Sequence, residues 1–398
     1  MNGKTLMDTN NPKVIAFYLP QFHRFKENDN WWGEGFTEWT NTRKARPLYE
    51  GHYQPHIPLN ENYYNLLNKD TWLWQIELAK KYGVYGFCFY HYWFNGKLLM
   101  EKPLEQFLDD KSLNIHFCLS WANESWTRKW NGAKGNTDIL IEQKYGGETE
   151  WKKHFLYLLE FFKDERYIRI AEKPLIIVYR PELVPQFSEM IKCWRKMAKE
   201  AGFKDLFIMA QGTDYCAANR FKRIDDNLNG NIMYEPGFTI RSTKYYPIHG
   251  AIKEFVNLFP LNVICYCNGA KRILRLFFKK KWPKRMGGLL LNRIKYDLIW
   301  EKILNRKVSP SYYPGAFVNW DNTARTKYEA RIIYGSTPQK FEKNMTCLID
   351  KVKNEYKKEY IFLNAWNEWA EGCYIEPDEK NKYGYLEALK KAFGKSGA

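Results

Sequence analysis

Tyr360-Ile-Phe-Leu-Asn-Ala-Trp-Asn-Glu-Trp-Ala-Glu371 opens as a short apolar run and closes on two carboxylates bracketed by tryptophan. The run is of strand length and does not alternate, the pattern of a strand covered on both faces. Working outward, similar runs stand at 14–20, 84–94, 114–121, 174–179, 206–211 and 315–320, with a weaker one at 231–234. Between them lie helix-like stretches at 71–82, 100–108, 148–163, 184–201 and 338–353, and another at 383–393 closes the chain. Strand and helix in alternation predict an α/β fold with a parallel sheet. An open doubly wound sheet usually carries a glycine-rich turn after its first strand; here that turn reads Pro20-Gln-Phe-His-Arg24.

Polar and aromatic residues gather just past the strand ends: His91, Tyr92 and Trp93; Trp121, Asn123 and Glu124; Tyr179 and Arg180; Asn319, Trp320 and Asp321; then Asn367, Glu368 and Glu371. In a (β/α)₈ barrel all such ends open on one face, where active sites sit. The expectation is therefore a single (β/α)₈ TIM-type barrel over 14–393, with a long first βα loop and a basic, aromatic insertion at 239–311.

Glu368 and Glu371 are three apart, so a helix or turn puts them on one side. Two carboxylates that close cannot both ionise freely, and one is kept as an acid near neutral pH. Glycosidic chemistry needs such a pair. Trp366 and Trp369 flank it, and 16 Trp, 28 Tyr and 25 Phe in 398 residues supply rings on which a sugar can stack. The plainer reading is two glutamates complementing a helix start. Asn123 and Glu124 form a second acid/base candidate, or a loop brace. Asp321 and Arg325 could hold sugar hydroxyls, or tie down their own loop. Glu38 and Trp39 belong to a loop, Trp31-Trp-Gly-Glu-Gly-Phe-Thr-Glu-Trp39, with the make-up of a binding lid. His91 beside Trp93 is a candidate sugar contact.

Neither the seven histidines nor the eight scattered cysteines fall at metal-ligand spacing, so no metal and no cofactor are expected. The cysteines read as reduced thiols of a cytoplasmic protein, and no apolar stretch reads as a signal peptide or a membrane span. The net charge is +17, and 271–295 holds ten Lys/Arg with no Asp/Glu. Interleaved with Phe, Leu and Trp, that stretch suits an anionic membrane surface, and equally a solvated insertion. No nucleic-acid motif accompanies it.

Several ordered motifs carry a resemblance. Ile15-Ala-Phe-Tyr-Leu-Pro-Gln-Phe-His23, Trp32-Gly-Glu-Gly-Phe-Thr-Glu-Trp39, His91-Tyr-Trp93, Trp121-Ala-Asn-Glu124, Trp320-Asp-Asn-Thr323, Tyr334-Gly-Ser-Thr-Pro338 and the segment 364–377 closely resemble the WbsX-like family. That family is associated with bacterial O-antigen and capsule gene clusters and is named for glycosyltransferases. It is in turn similar to the endo-α-mannosidase family of glycoside hydrolases, through Asn367-Glu-Trp-Ala-Glu-Gly372 followed by Ile375-Glu-Pro377. The resemblance implies a (β/α)₈ barrel, with Glu371 as general acid/base at the glycosidic oxygen and Glu368 as base on the sugar 2-hydroxyl. It also implies substrate contacts around the motif, Glu376 among them, although Ala370 departs from the polar residue expected between the glutamates. The expected function is a carbohydrate-active enzyme of surface-polysaccharide biosynthesis, transferase or hydrolase. Its substrate would be a glycan or lipid-linked oligosaccharide, and its place cytoplasmic, peripheral to the inner membrane face through 271–295. A non-catalytic glycan-binding barrel and a membrane-surface scaffold are the alternatives.

Overall fold

The computed structural model describes residues 11–128, 138–212, 227–242 and 291–395. Its centre is a ring of parallel strands: β1 Lys13–Tyr18, β2 Val84–Phe94, β3 His116–Trp121, β4 Lys173–Val178, β5 Phe207–Gly212, β6 Gly230–Met233, β7 in two pieces, Tyr312–Tyr313 and Gly315–Phe317, and β8 Tyr360–Asn364. Each pairs in parallel with the next, from β1·β2 to β5·β6. The first piece of β7 pairs with β6, its second with β8, and β8 returns to β1. The barrel is closed at β7, where Pro314 has no N–H to give the ladder. Its carbonyl still accepts from Phe362 N at 3.0 Å. Gly315 follows because a Cβ there would lie 1.7 Å from the Met233 carbonyl oxygen.

The strands are apolar along their length because both faces are covered: Val14 to Phe17, Leu175 to Val178 and Phe117 to Leu119 are fully buried. Helices Lys69–Tyr82, Glu101–Asp109, Glu148–Phe162, Phe187–Glu200, Pro338–Lys351 and Gly384–Lys395 cover the outside. Lys69–Tyr82 is capped by Asn68, whose side chain accepts from Asp70 N, and ends at Gly83 in the left-handed region. The weak sixth strand is present, and the long first loop carries two short helices, Lys26–Trp32 and Glu38–Lys44.

Of the expected insertion at 239–311, residues 243–290 lie outside the described residues, as does most of the basic stretch 271–295. The part that follows forms a strand, Asn292–Lys295, paired with Arg331–Tyr334, and a helix, Tyr296–Leu304. That helix packs into the core, with Trp300 stacked on Phe317 of β7. Among the described residues no helix is long and apolar enough to cross a membrane. Cys88, Cys118 and Cys373 are buried free thiols, while Cys347 is exposed.

Candidate active site

After β8 the chain passes a cis Asn364–Ala365 peptide and makes a tight hairpin. Asn367–Glu368 pairs antiparallel with Cys373–Tyr374 around a 3₁₀ turn, Trp369–Glu371. Side chains three apart eclipse in a 3₁₀ turn, so Glu368 and Glu371 share one side. Gly372 closes the turn at φ +59°, and a Cβ there would sit 3.0 Å from the backbone of Asp321. Asp321 N donates to Glu371 O at 2.7 Å, stitching the loop after β7 to the loop after β8.

Arg325, on the short helix Thr323–Thr326, joins the carboxylates. Its Nη1 donates to Glu371 at 2.8 Å and its Nη2 to Glu368 at 3.3 Å. Nη2 and Nε also reach Glu38 of the first loop, at 2.5 and 3.2 Å. The side chain of Glu371 keeps 19% of its exposure and that of Glu368 only 7%, so Glu371 is the one that faces the opening. Burial raises Glu371 above the usual carboxylate range against the pull of Arg325. Burial and then the neighbouring Glu371 push Glu368 higher still. Burial therefore favours the protonated form of both carboxyls, and more strongly at Glu368 than at Glu371.

Both face a cavity of about 280 Å³ in the barrel mouth. Tyr92 from β2, Tyr179 past β4, Tyr234 past β6, Trp126 and Trp320 give it aromatic walls. Glu124, Asn322, Arg241 and Arg331 add polar ones. Of the residues singled out in the sequence, Glu124, Trp320, Arg325, Glu368 and Glu371 therefore meet in one place, with Glu38 directly behind. Glu124 is itself held by Arg180 at 2.6 Å, and burial raises its pKa.

The other candidates sit around the cavity and brace it. Asn367 accepts from Leu19 N at 2.8 Å and donates to Leu19 O at 3.0 Å, tying β8 to the end of β1. Asn123 does the same for Arg180, accepting from its N at 2.7 Å and donating to its O at 2.8 Å. Trp366 is buried against Phe87. Trp369 stacks on Tyr374 and donates to Glu376 at 2.7 Å. Glu376 also accepts from Gln75 at 2.6 Å and Tyr64 at 2.9 Å, and burial lifts its pKa to about 7. Trp39 packs on Trp369 and donates to Tyr64 O at 2.8 Å. His91 lies behind the wall, 2.9 Å from His154 ring nitrogen to ring nitrogen, with Trp93 and Trp121 packed on His154.

Asp321 turns away from the glutamates. Leu48 N–H donates to His52 Nδ1 at 3.0 Å, which leaves Nε2 to donate to Asp321 at 2.6 Å. Gln54 adds a bond at 2.9 Å. Burial acts to raise the Asp321 carboxyl, but the bond from His52 and the neighbouring histidines hold it below the usual range. Tyr234, Arg241 and Arg331 are not among the residues the sequence singles out. Tyr179 ends a strand and carried that signal, whereas Arg241 and Arg331 stand in segments with no site pattern. Among the described residues no group of three or more His, Cys, Asp or Glu has the arrangement of a metal site.

The family model described as Glycosyltransferase WbsX matches residues 14–389. A protein named WxcX from Xanthomonas campestris pv. campestris is 31% identical over 384 residues, covering 95% of this chain and 49% of the relative. Its counterpart in strain B100 is 31% identical over 388 residues, with the same coverage. The chain spans about half the length of these curated relatives. A solved glycoside hydrolase-like protein superposes with a TM-score of 0.53 at 13% identity, over 96% of this chain and 94% of the other. The GH99 endo-α-mannosidase from Bacteroides thetaiotaomicron, in complex with bis-tris propane, gives 0.51 at 12% identity, over 97% and 98%. At that identity the likeness is one of fold.

Proposed function

Because the chain belongs to the WbsX glycosyltransferase family, we propose that it makes or breaks a glycosidic bond with Glu371 and Glu368. The observation that carries this reading is the Arg325 fan, which fixes two carboxylates side by side in an aromatic cavity at the barrel mouth. Glu371, nearer the opening, is the group in reach of a glycosidic oxygen; Glu368, deeper, meets the ring of the bound sugar.

The roles follow the resemblance. A sugar 2-hydroxyl donating to Glu368 favours its ionised form and leaves the proton on Glu371. Glu371 gives that proton to the leaving oxygen as the C1–O bond breaks, while Glu368 takes the 2-hydroxyl proton and O2 closes on C1. An acceptor O–H then loses its proton to Glu371 and attacks C1. The O2–C1 bond opens and O2 recovers its proton from Glu368, so the configuration is retained. Water as acceptor gives hydrolysis, a sugar hydroxyl gives transfer. We further propose a glycan or lipid-linked oligosaccharide of surface-polysaccharide assembly as substrate, on the cytoplasmic side, with 271–295 as the membrane contact.

Incubation with lipid-linked repeat units, with and without nucleotide sugars, followed by mass analysis, identifies substrate and acceptor together. On that substrate Glu371→Gln loses about 10²–10⁴-fold in rate and regains most of it on an aryl glycoside with a good leaving group. Glu368→Gln stays slow on both. If both variants turn over normally, the pair is not catalytic and Glu124 becomes the next candidate; if the wild type binds glycan without turnover, the barrel only binds.

A further inference from the structure

Behind the turn that carries the glutamates lies a second cavity, of about 130 Å³. The first loop, the loop after β7 and the loop after β8 enclose it. Neighbouring residues divide between the two cavities: Trp320, Asn322 and Glu371 line the one with the glutamates, while Asn319, Asp321 and Gly372 line this one. A single wall therefore serves both. The volume holds about four waters at roughly 30 Å³ each, enough for the edge of one sugar ring.

Two buried carboxylates face this cavity, and the protein already occupies them. Asp321 accepts from His52 at 2.6 Å and Gln54 at 2.9 Å through one oxygen, and from Thr323 N at 3.1 Å and Thr323 Oγ1 at 2.5 Å through the other. Asp378 accepts from Tyr374 at 2.8 Å, from Asn381 N at 2.5 Å and from Asn381 Nδ2 at 3.2 Å. Little is left on either for a cation. The groups with capacity to spare are uncharged acceptors. Tyr374 gives its proton to Asp378, so His56 Nδ1 is the donor in its 2.5 Å bond to the Tyr374 oxygen. His56 Nε2 then keeps a bare lone pair, and burial lowers the pKa of the ring and holds it neutral. His56 is only 5% exposed, and that nitrogen has no partner among the described residues. Asn319 Oδ1 is likewise buried without a partner. A buried acceptor left empty is costly, so each is disposed to take an O–H from a ligand.

Neutral acceptors beside the rings of Tyr49, Tyr53 and Tyr374 suit a ligand that brings hydroxyl groups and no charge. We propose that this cavity is a second sugar site, in which His56 Nε2 and Asn319 Oδ1 accept from the hydroxyls of a neutral sugar unit. It rests on the glycosidic reading only for why a sugar is at hand; the groups that recognise it take no part in that chemistry.

Imidazole nitrogen NMR of the histidine-labelled protein tests it, with His56 assigned through His56→Gln. The probes are methyl glucoside, methyl galactoside and methyl mannoside, with glycerol as a small polyol for comparison. At least one glycoside should shift the His56 Nε2 resonance saturably, in Glu371→Gln as in the wild type. Asn319→Ala should bind that glycoside about fivefold more weakly, the size of one neutral hydrogen bond. Thermal melts identify a variant that fails to fold, and the wild-type titration decides without it. If no glycoside moves His56, or glycerol moves it as readily as the sugars do, the inference fails whatever the glutamates do. If His56 responds and the protein turns over no glycan, the inference holds and the glycosidic reading falls.

Discussion

With Arg325 donating to Glu38, Glu368 and Glu371 at once, its replacement leaves three carboxylates in one buried space without their shared counter-charge. Breaking one side of such a buried ion pair typically costs about 3–5 kcal/mol. Arg325→Gln should lose stability on that scale in urea unfolding, and Arg325→Lys should lose less, keeping the charge but not the fork. The guanidinium also opposes the upward shift of both Glu368 and Glu371. Without it their pKa values rise further, and the acidic limb of the rate–pH profile, set by ionisation of the base, moves to higher pH. An unmoved limb would count against the pair as acid and base. The two glutamates could be read from sequence because their neighbourhood is local: three positions, two tryptophans, one turn. Arg325 could be read only as a holder of sugar hydroxyls or of its own loop, because its partner Glu38 is 287 residues away.

The helix Glu148–Phe162 and β2 meet through the buried pair His91 and His154, with Trp93 stacked on His154. Burial lowers His91 to about 3, and burial together with the facing His91 lowers His154. The side chains packed against the pair are aromatic, Trp93, Trp121, Tyr157 and Trp194. A histidine depressed in the folded state gives stability that is complete above its unfolded value near 6.5 and is lost as pH falls towards the folded one, at about 1.4 kcal/mol per pH unit and group. Glu376, raised to about 7, runs the opposite way and favours the fold as pH drops. Between pH 6.5 and 4.5 the His91–His154 pair therefore withdraws its contribution from the contact between Glu148–Phe162 and β2. Hydrogen exchange should show Glu148–Phe162 opening first, and His154→Gln should flatten the acid slope. At this scale the strands could be read because a short apolar run bounded by helices admits few other readings. The break at Pro314 could not, since it answers to a register between β6 and β8. Nor could the core position of Tyr296–Leu304, which sits at the end of a strongly basic stretch.

For the molecule as a whole, closure of the ring sends every strand end to one mouth, and the clustering of polar residues after strands makes that geometry legible in the sequence. The ten cations of 271–295 are a separate matter. At up to about 1 kcal/mol each near an anionic surface, they suffice for salt-sensitive docking. Replacing Lys279, Lys280 and Lys281 by Gln should reduce co-sedimentation with phosphatidylserine vesicles and leave turnover of a soluble glycoside intact; equal sedimentation would remove the membrane contact from the proposal. The stitching of the mouth has a different consequence. The turn holding Glu371 is bonded to Asp321, Gly372 leaves no room between them, and Arg325 reaches from there to Glu38 in the first loop. These three loops form one interlocked part, so anyone transplanting a new specificity onto this scaffold must exchange them as a set.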